Sequence, residues 1–227
     1  MIKRRKLDMT RAMTPFLLAS LLMAGCNGNG PKSVTDIDGN RYGTVKIGGH
    51  LWMSENLRVT RYRNGDPITE VKDDAAWAAQ TGGARCAYEN KTENAKSYGM
   101  LYNWRAVNDP RGIAPEGWHA ATDREWQELA EAVDGEESAG SALKAPGKWT
   151  DPASDSGKSI GFDALPSGAR RDADGVFLML GQFARFWTST PASNGKALAR
   201  ALGFYDNALR GGEVSPKNGF AVRCVKD

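Results

Sequence analysis

The sequence predicts an α+β fold in a single domain, with two helices and a set of short, mostly antiparallel strands. Three observations carry that expectation. Two segments, 73–83 and 122–135, each combine a helix start, a helical body and a helix stop. Residues 34–57 read as two extended runs about a turn. After residue 159 the chain alternates short extended runs with turns bearing Gly, Asp or Asn.

In chain order, the first element is a leader. Lys3, Arg4, Arg5 and Lys6 precede an apolar run from Phe16 to Ala24 that ends in Ala24-Gly25-Cys26. A basic segment, a short apolar segment and a small-residue end form a secretory signal. The run is much shorter than the ~20 residues of a membrane span. "LLMAGC" also matches a lipobox, so residues 1–25 are expected to be removed and Cys26 to carry a lipid. The alternative is a plain signal peptide with a chance cysteine. Residues 26–34 then form a tether rich in Gly and Asn. Asn27 after the cysteine favours the outer membrane of a bacterial cell envelope. Residues 35–227 form the domain, long enough for one sizeable core.

The domain opens with Asp38-Gly39-Asn40 between extended runs, a hairpin signal. Asp36-x-Asp38-x-Asn40 imitates a calcium loop, but Arg41 stands where such a loop needs glycine. No metal site and no cofactor are expected. "DDAAWAAQTGG" (73–83) is the first helix, with an Asp start and a Gly-Gly stop. Thr122-Asp123-Arg124-Glu125 fits the capping box of the second. Trp126, Leu129, Ala130 and Val133 share one face of it, and Asp134-Gly135 ends it. Residues 146–159 read as a loop. "FARFWTST", "ALARALGFY" and "GFAVRCVKD" are among the strands that follow.

The chain has just two histidines, His50 and His119. His119 lies just before the capping box, and every polar residue after it is accounted for by helix construction. It reads as a packed, hydrogen-bonded residue rather than a catalytic base. The net charge is +3, but the leader holds five cations against Asp8, a net +4, which leaves the remainder near −1. Nothing in that balance supports nucleic-acid binding, which would require a basic face on the folded domain. With Cys26 assigned to lipid, Cys86 and Cys224 remain in an oxidising compartment, where a bridge is expected. Such a bridge would be worth ~4–5 kcal/mol by chain entropy. Two separately buried thiols are the alternative.

"DIDGNRYGTVKIGGHLWMSENLR", "RCAYEN", "YGMLYNWRAV", "APEGWHAATDREWQEL", "GFDALPSGAR", "FWTST" and "GFAVRCVKD" occur in that order. Together they resemble the Fibrobacter succinogenes major paralogous domain, a bacterial surface or secreted domain, over nearly all of 35–227. His50 stands where that family usually has Gln and Ala121 where it has Pro, so His50 is not expected to be a required ligand. The pattern is in turn similar to the C-type lectin-like fold, including the sulfatase-modifying formylglycine-generating enzymes. The resemblance implies a C-type lectin-like domain whose termini pair in one small sheet. It carries no activity, because one fold hosts many functions. The redox-active cysteine pair of the formylglycine enzymes and the calcium triplets of the sugar-binding lectins do not occur in this sequence.

Lectin-like folds carry ligand contacts on the long loops after the second helix. Here those are "SGARRDADG" and "GFYDNALRGG", which makes Arg170, Arg171, Tyr205 and Asn207 the candidate ligand-binding residues. No Gly-x-Ser-x-Gly elbow, phosphate loop or metal-spaced His/Cys cluster is present, so no catalytic residue is expected. The expected function is an exported, lipid-anchored, non-catalytic envelope protein that binds extracellular glycan or protein, with the membrane as partner through its lipid. A structural envelope lipoprotein without specific ligand is one alternative. A carbohydrate-active enzyme with a carboxylate pair is the other.

Overall fold

A computed structural model describes residues 30–150 and 159–227. The leader, Cys26 and most of the 146–159 loop lie outside the described residues. Among the described residues no helix is long and apolar enough to cross a membrane.

β1 (Ser33–Thr35) and β2 (Arg41–Ile47) pair antiparallel about the Asp38-Gly39-Asn40 turn. Asp36 holds that turn, its carboxylate accepting from the backbone of Asp38 and Asn40 and from the Asn40 amide. Gly39, at φ +83°, adopts the left-handed conformation the turn needs. Extended structure starts at Ser33, inside the stretch assigned to the tether, because Val34 pairs with Tyr42.

β3 (His50–Met53) continues this sheet, and β13 (Cys224–Lys226) lies between β3 and β7 (Trp118–Ala120). Every pairing in it is antiparallel. Both ends of the domain therefore share one sheet. Val225 faces Trp52, and both are fully buried.

The second five-stranded sheet has the order β12-β11-β10-β8-β9. Its strands are β8 (Ser167–Arg170), β9 (Phe177–Leu180), β10 (Phe183–Pro191), β11 (Ala197–Gly203) and β12 (Leu209–Val214). Only β8 against β10 is parallel in it. A small third sheet joins β4 (Thr69–Glu70), β5 (Ala84–Cys86) and β6 (Leu101–Tyr102).

The described residues hold five α-helices, where the sequence predicts two. α1 (Asp74–Ala79) and α4 (Asp123–Glu131) are the expected pair, α1 shorter than its signal. α2 (Thr92–Tyr98), α3 (Trp104–Val107) and α5 (Gly140–Leu143) are additional. α2 buries only Ala95, so it has no apolar stripe to betray it. α3 is a single turn, too short for any period. Its start is marked by Asn103, whose side chain accepts from the Ala106 backbone N–H.

The core divides into clusters. In one, Trp52, Trp126, Phe162 and Phe186 meet with ring centroids 5.0–6.4 Å apart. In another, Trp187 packs on Phe220 at 4.5 Å and donates from its indole to the Tyr102 carbonyl at 2.6 Å.

Against Phe162 and Phe186 lies Arg223, fully buried and, among the described residues, without a carboxylate partner. Its guanidinium donates to Asn56 Oδ1 (2.6 Å) and to the carbonyls of Met53 (3.0 Å), Phe162 (2.6 Å) and Asp163 (3.0 Å). Burial pulls its pKa down to about 9, still above neutral, so it remains a cation.

The expected Cys86–Cys224 bridge is not formed; both cysteines are buried and free. The reason is placement. Cys86 sits on β5 in a cluster with Trp77 and Leu101, whereas Cys224 sits on β13 in the cluster of Tyr42 and Trp187. Burial pushes the Cys86 thiol up to about 12 and the Cys224 thiol higher, so neither forms a thiolate at neutral pH. In a Cys26→Ser chain, both thiols should resist a thiol reagent until denaturant is added. Reductant should leave the melting temperature unchanged; a fall would restore the bridge.

Candidate functional site

The four residues expected to bind ligand do not gather at one place. Arg170, on β8, is fully buried, so its expected role as a ligand contact is corrected to a structural one. Its guanidinium donates to the carbonyls of Gly175 (2.7 Å), Val71 (2.6 Å) and Lys72 (2.9 Å) and to Asp74 Oδ1 (2.7 Å). It lies against the rings of Trp77 and Phe177 at 4.7 and 4.6 Å. Four of its five N–H donors are spent inside the fold, and the side chain has no exposed surface for a ligand. Arg171 is exposed and paired with Asp174 within its own turn. Asn207 anchors α5, its carbonyl accepting from the Gly140 N–H at 2.7 Å. Tyr205 is also exposed, at 54%, and is the one large apolar ring of the four.

Tyr205 leads to a groove that the sequence reading did not single out. On β10 to β12, alternation puts Phe183, Arg185, Trp187, Ala199, Ala201, Arg210 and Gly212 on one face, as the pairings Arg185↔Ala201↔Arg210 and Trp187↔Ala199↔Gly212 show. The opposite face carries Phe186, Leu202 and Leu209 into the core.

The outward face forms a groove of about 150 Å³ with Ala199, Ala201 and Gly212 as floor and Arg185, Phe220 and Val214 among its walls. A Cβ at Gly212 would touch nothing within 4 Å, so the space above it is open. Next to the lining residue Arg210, whose guanidinium lies 5.5 Å from it, the Tyr205 ring folds back over Gly203, where a Cβ would lie 2.9 Å away and force the ring to shift. Phe183 and Phe204 brace the ring edge-on at 5.7 and 5.5 Å.

The charges of this sheet are unequally matched. Arg200 pairs with Asp123 and Glu136, and Arg210 with Asp206. The Arg185 side chain has neither ion pair nor hydrogen bond among the described residues, and its Nε is buried without an acceptor. Phe183 and Phe220 flank its guanidinium at 5.5 and 5.7 Å. Burial lowers its pKa. The signal in the sequence was Phe-x-Arg-x-Trp, a charge at a position whose strand neighbours on that face are aromatic.

The other clefts differ. One of about 270 Å³ is lined by Asp36, Ile37, Arg63 and Pro115. Two of its polar groups are engaged within the fold: Arg63 donates to the carbonyls of Ala114, Pro115 and Trp118, and Asp36 accepts from Tyr42 and Asn40. A cleft between Ser54-Glu55 and Ala145–Lys148 borders residues outside the described set.

Both histidines meet α4. The capping box forms as expected, Thr122 accepting from the Glu125 N–H while Glu125 accepts from Thr122. His119 donates from Nδ1 to Asp227 at 2.7 Å and from Nε2 to Glu125 at 2.8 Å. His50 Nε2 lies 2.6 Å from Glu128, and its Nδ1 is 4.0 Å from Glu125. Hydrogen bonding to Glu125, joined by Asp227 and opposed by burial, raises His119 to about 9. An imidazolium donating from both nitrogens has no lone pair with which to take a proton. Burial works to raise Glu125, but His119 and Thr122 together carry it down to about 2. Among the described residues no group of three or more His, Cys, Asp or Glu is placed to hold a metal ion.

These shifts set a pH profile. A raised folded pKa gives stability that is complete below about 6.5 and lost as pH rises through about 9. The lowered Glu125 gives stability present above about 4.5 and lost as pH falls towards 2. Urea unfolding of the wild type should therefore weaken from pH 6.5 to 9, and His119→Gln should flatten that slope. An unchanged slope in the variant would assign it to other groups.

The family model of the Fibrobacter succinogenes major domain matches residues 45–226. No curated protein and no solved structure matches the chain.

Proposed function

We propose a function for a chain that belongs to the Fibrobacter succinogenes major domain family: an exported, lipid-anchored, non-catalytic module of the bacterial envelope that binds extracellular glycan. The groove on β10–β12 is the site. The observation that carries this reading is Tyr205, more than half exposed, braced by Phe183 and Phe204, and set against Arg210, which lines the groove. A fixed, exposed aromatic ring loses little entropy on stacking against a sugar face. The C-type lectin-like fold belongs to the same proposal, supported by a sheet that joins both ends of the domain and by the Thr-x-x-Glu-Trp helix.

The test is calorimetric titration of the full chain against a panel of bacterial and plant glycans. Tyr205→Ala should weaken binding about ten-fold or more, the loss of ~1.4 kcal/mol. Gly212→Val, whose side chain enters the open space, should weaken it without lowering the melting temperature. Chelator should change nothing. A panel without a single binder would sink the reading. So would turnover of a polysaccharide that one carboxylate substitution abolishes in folded protein.

A further inference from the structure

We propose that the occupant of this groove is an acidic sugar residue, a hexuronate within a polysaccharide, whose carboxylate pairs with Arg185. The inference rests on the groove being a glycan site and adds what the site selects. Burying a guanidinium costs solvation that a counter-charge or acceptor normally restores. On this sheet the rule holds for the buried Arg200, which has two carboxylates, and even the exposed Arg210 has one. Arg185 departs from it, its Nε buried and unbonded beside an open space. A carboxylate entering that space supplies the missing partner, and a planar guanidinium can take it through two parallel bonds.

The surroundings favour a sugar over an acidic peptide. Phe183 and Phe220 hold the guanidinium from two sides, so little freedom is lost on pairing. The floor carries no side chain larger than methyl at Ala199, Ala201 and Gly212, which lets a ring lie close to the sheet. About 150 Å³ corresponds to roughly five waters at ~30 Å³ each, room for one sugar ring and well short of a drug-sized pocket. Tyr205, more than half exposed beside the lining residue Arg210, offers ring surface to the next sugar. A net charge near −1 outside the leader gives no bulk attraction for an acidic polymer. Arg200 and Arg210 also line the groove but already hold carboxylates, so selection depends on the half-buried Arg185, which salt screens less than a fully exposed charge.

The experiment titrates the full chain with tetragalacturonate, its methyl ester, neutral tetragalactose and tetraglutamate. The acid should bind about ten-fold or more tighter than the ester and the neutral sugar, the scale of one hydrogen-bonded charge. Arg185→Gln should bring the acid to the ester's affinity and leave the neutral sugar unchanged. The comparison of acid with ester needs no variant and decides the matter even if Arg185→Gln fails to fold. Equal binding of acid, ester and neutral sugar, lost in Tyr205→Ala, would overturn the charge assignment and leave the glycan groove standing. Tetraglutamate bound more tightly than tetragalacturonate would overturn the sugar. No binding of any of the sugars would overturn the assignment, while binders found elsewhere in the glycan panel would keep the broader reading.

Discussion

Replacing Arg223 with methionine should lower the stability of the domain by roughly 3–5 kcal/mol, read from urea unfolding monitored by tryptophan fluorescence. The cause is not a lost ion pair. Arg223 supplies donors to three backbone carbonyls and one amide oxygen. Those acceptors stay buried when the guanidinium goes, each at a cost of about 1–3 kcal/mol when left unpaired, partly relieved by relaxation. They belong to the end of β3 and the loop after it and to the Phe162-Asp163 turn, so the one side chain joins two segments to the start of β13. Lysine should rescue little, because a point ammonium with three donors cannot span the fork. A loss below 1 kcal/mol in Arg223→Met would show that water or repacking replaces the clasp.

Trp126→Ala should cost roughly 3–5 kcal/mol for a different reason, the loss of buried surface and the cavity left behind. Its ring is fully buried, with Trp52, Phe162 and Phe186 at 5.2, 5.7 and 5.0 Å. Trp126→Phe should cost far less, because the indole N–H it removes has no partner in the core. Equal losses in the two variants would mean that N–H is bonded after all. Arg223 lies over Phe162 at 4.5 Å, so Trp126→Ala and Arg223→Met share a neighbour and should not add.

What the sequence made legible was local. Four residues, Thr122 to Glu125, announced the capping box, and Asp-Gly announced the first hairpin, because both depend on partners within a few positions. Arg170 and Arg185 show where such reading stops. Each sits on a strand among small or aromatic residues, and nothing nearby distinguishes a clasp from a groove wall. Arg170 is consumed by Val71, Lys72 and Asp74, nearly a hundred positions earlier. Arg185 meets no such acceptor. The cysteines failed similarly: two thiols in one chain suggested a bridge, but their strands feed different clusters. α2 was missed because it hardly touches the core.

The central place of β13 bears on how the chain is made. It lies between β3 and β7, so the sheet has a gap until residues 224–226 have left the ribosome. The early strands can pair as a hairpin, yet the core around Trp52 cannot close without Val225. Closing so long a loop is slow relative to local pairing. For a polypeptide threaded across a membrane as an open chain, this order of events is useful. Were the chain exported as proposed, the domain would close only once β13 had followed the earlier strands across.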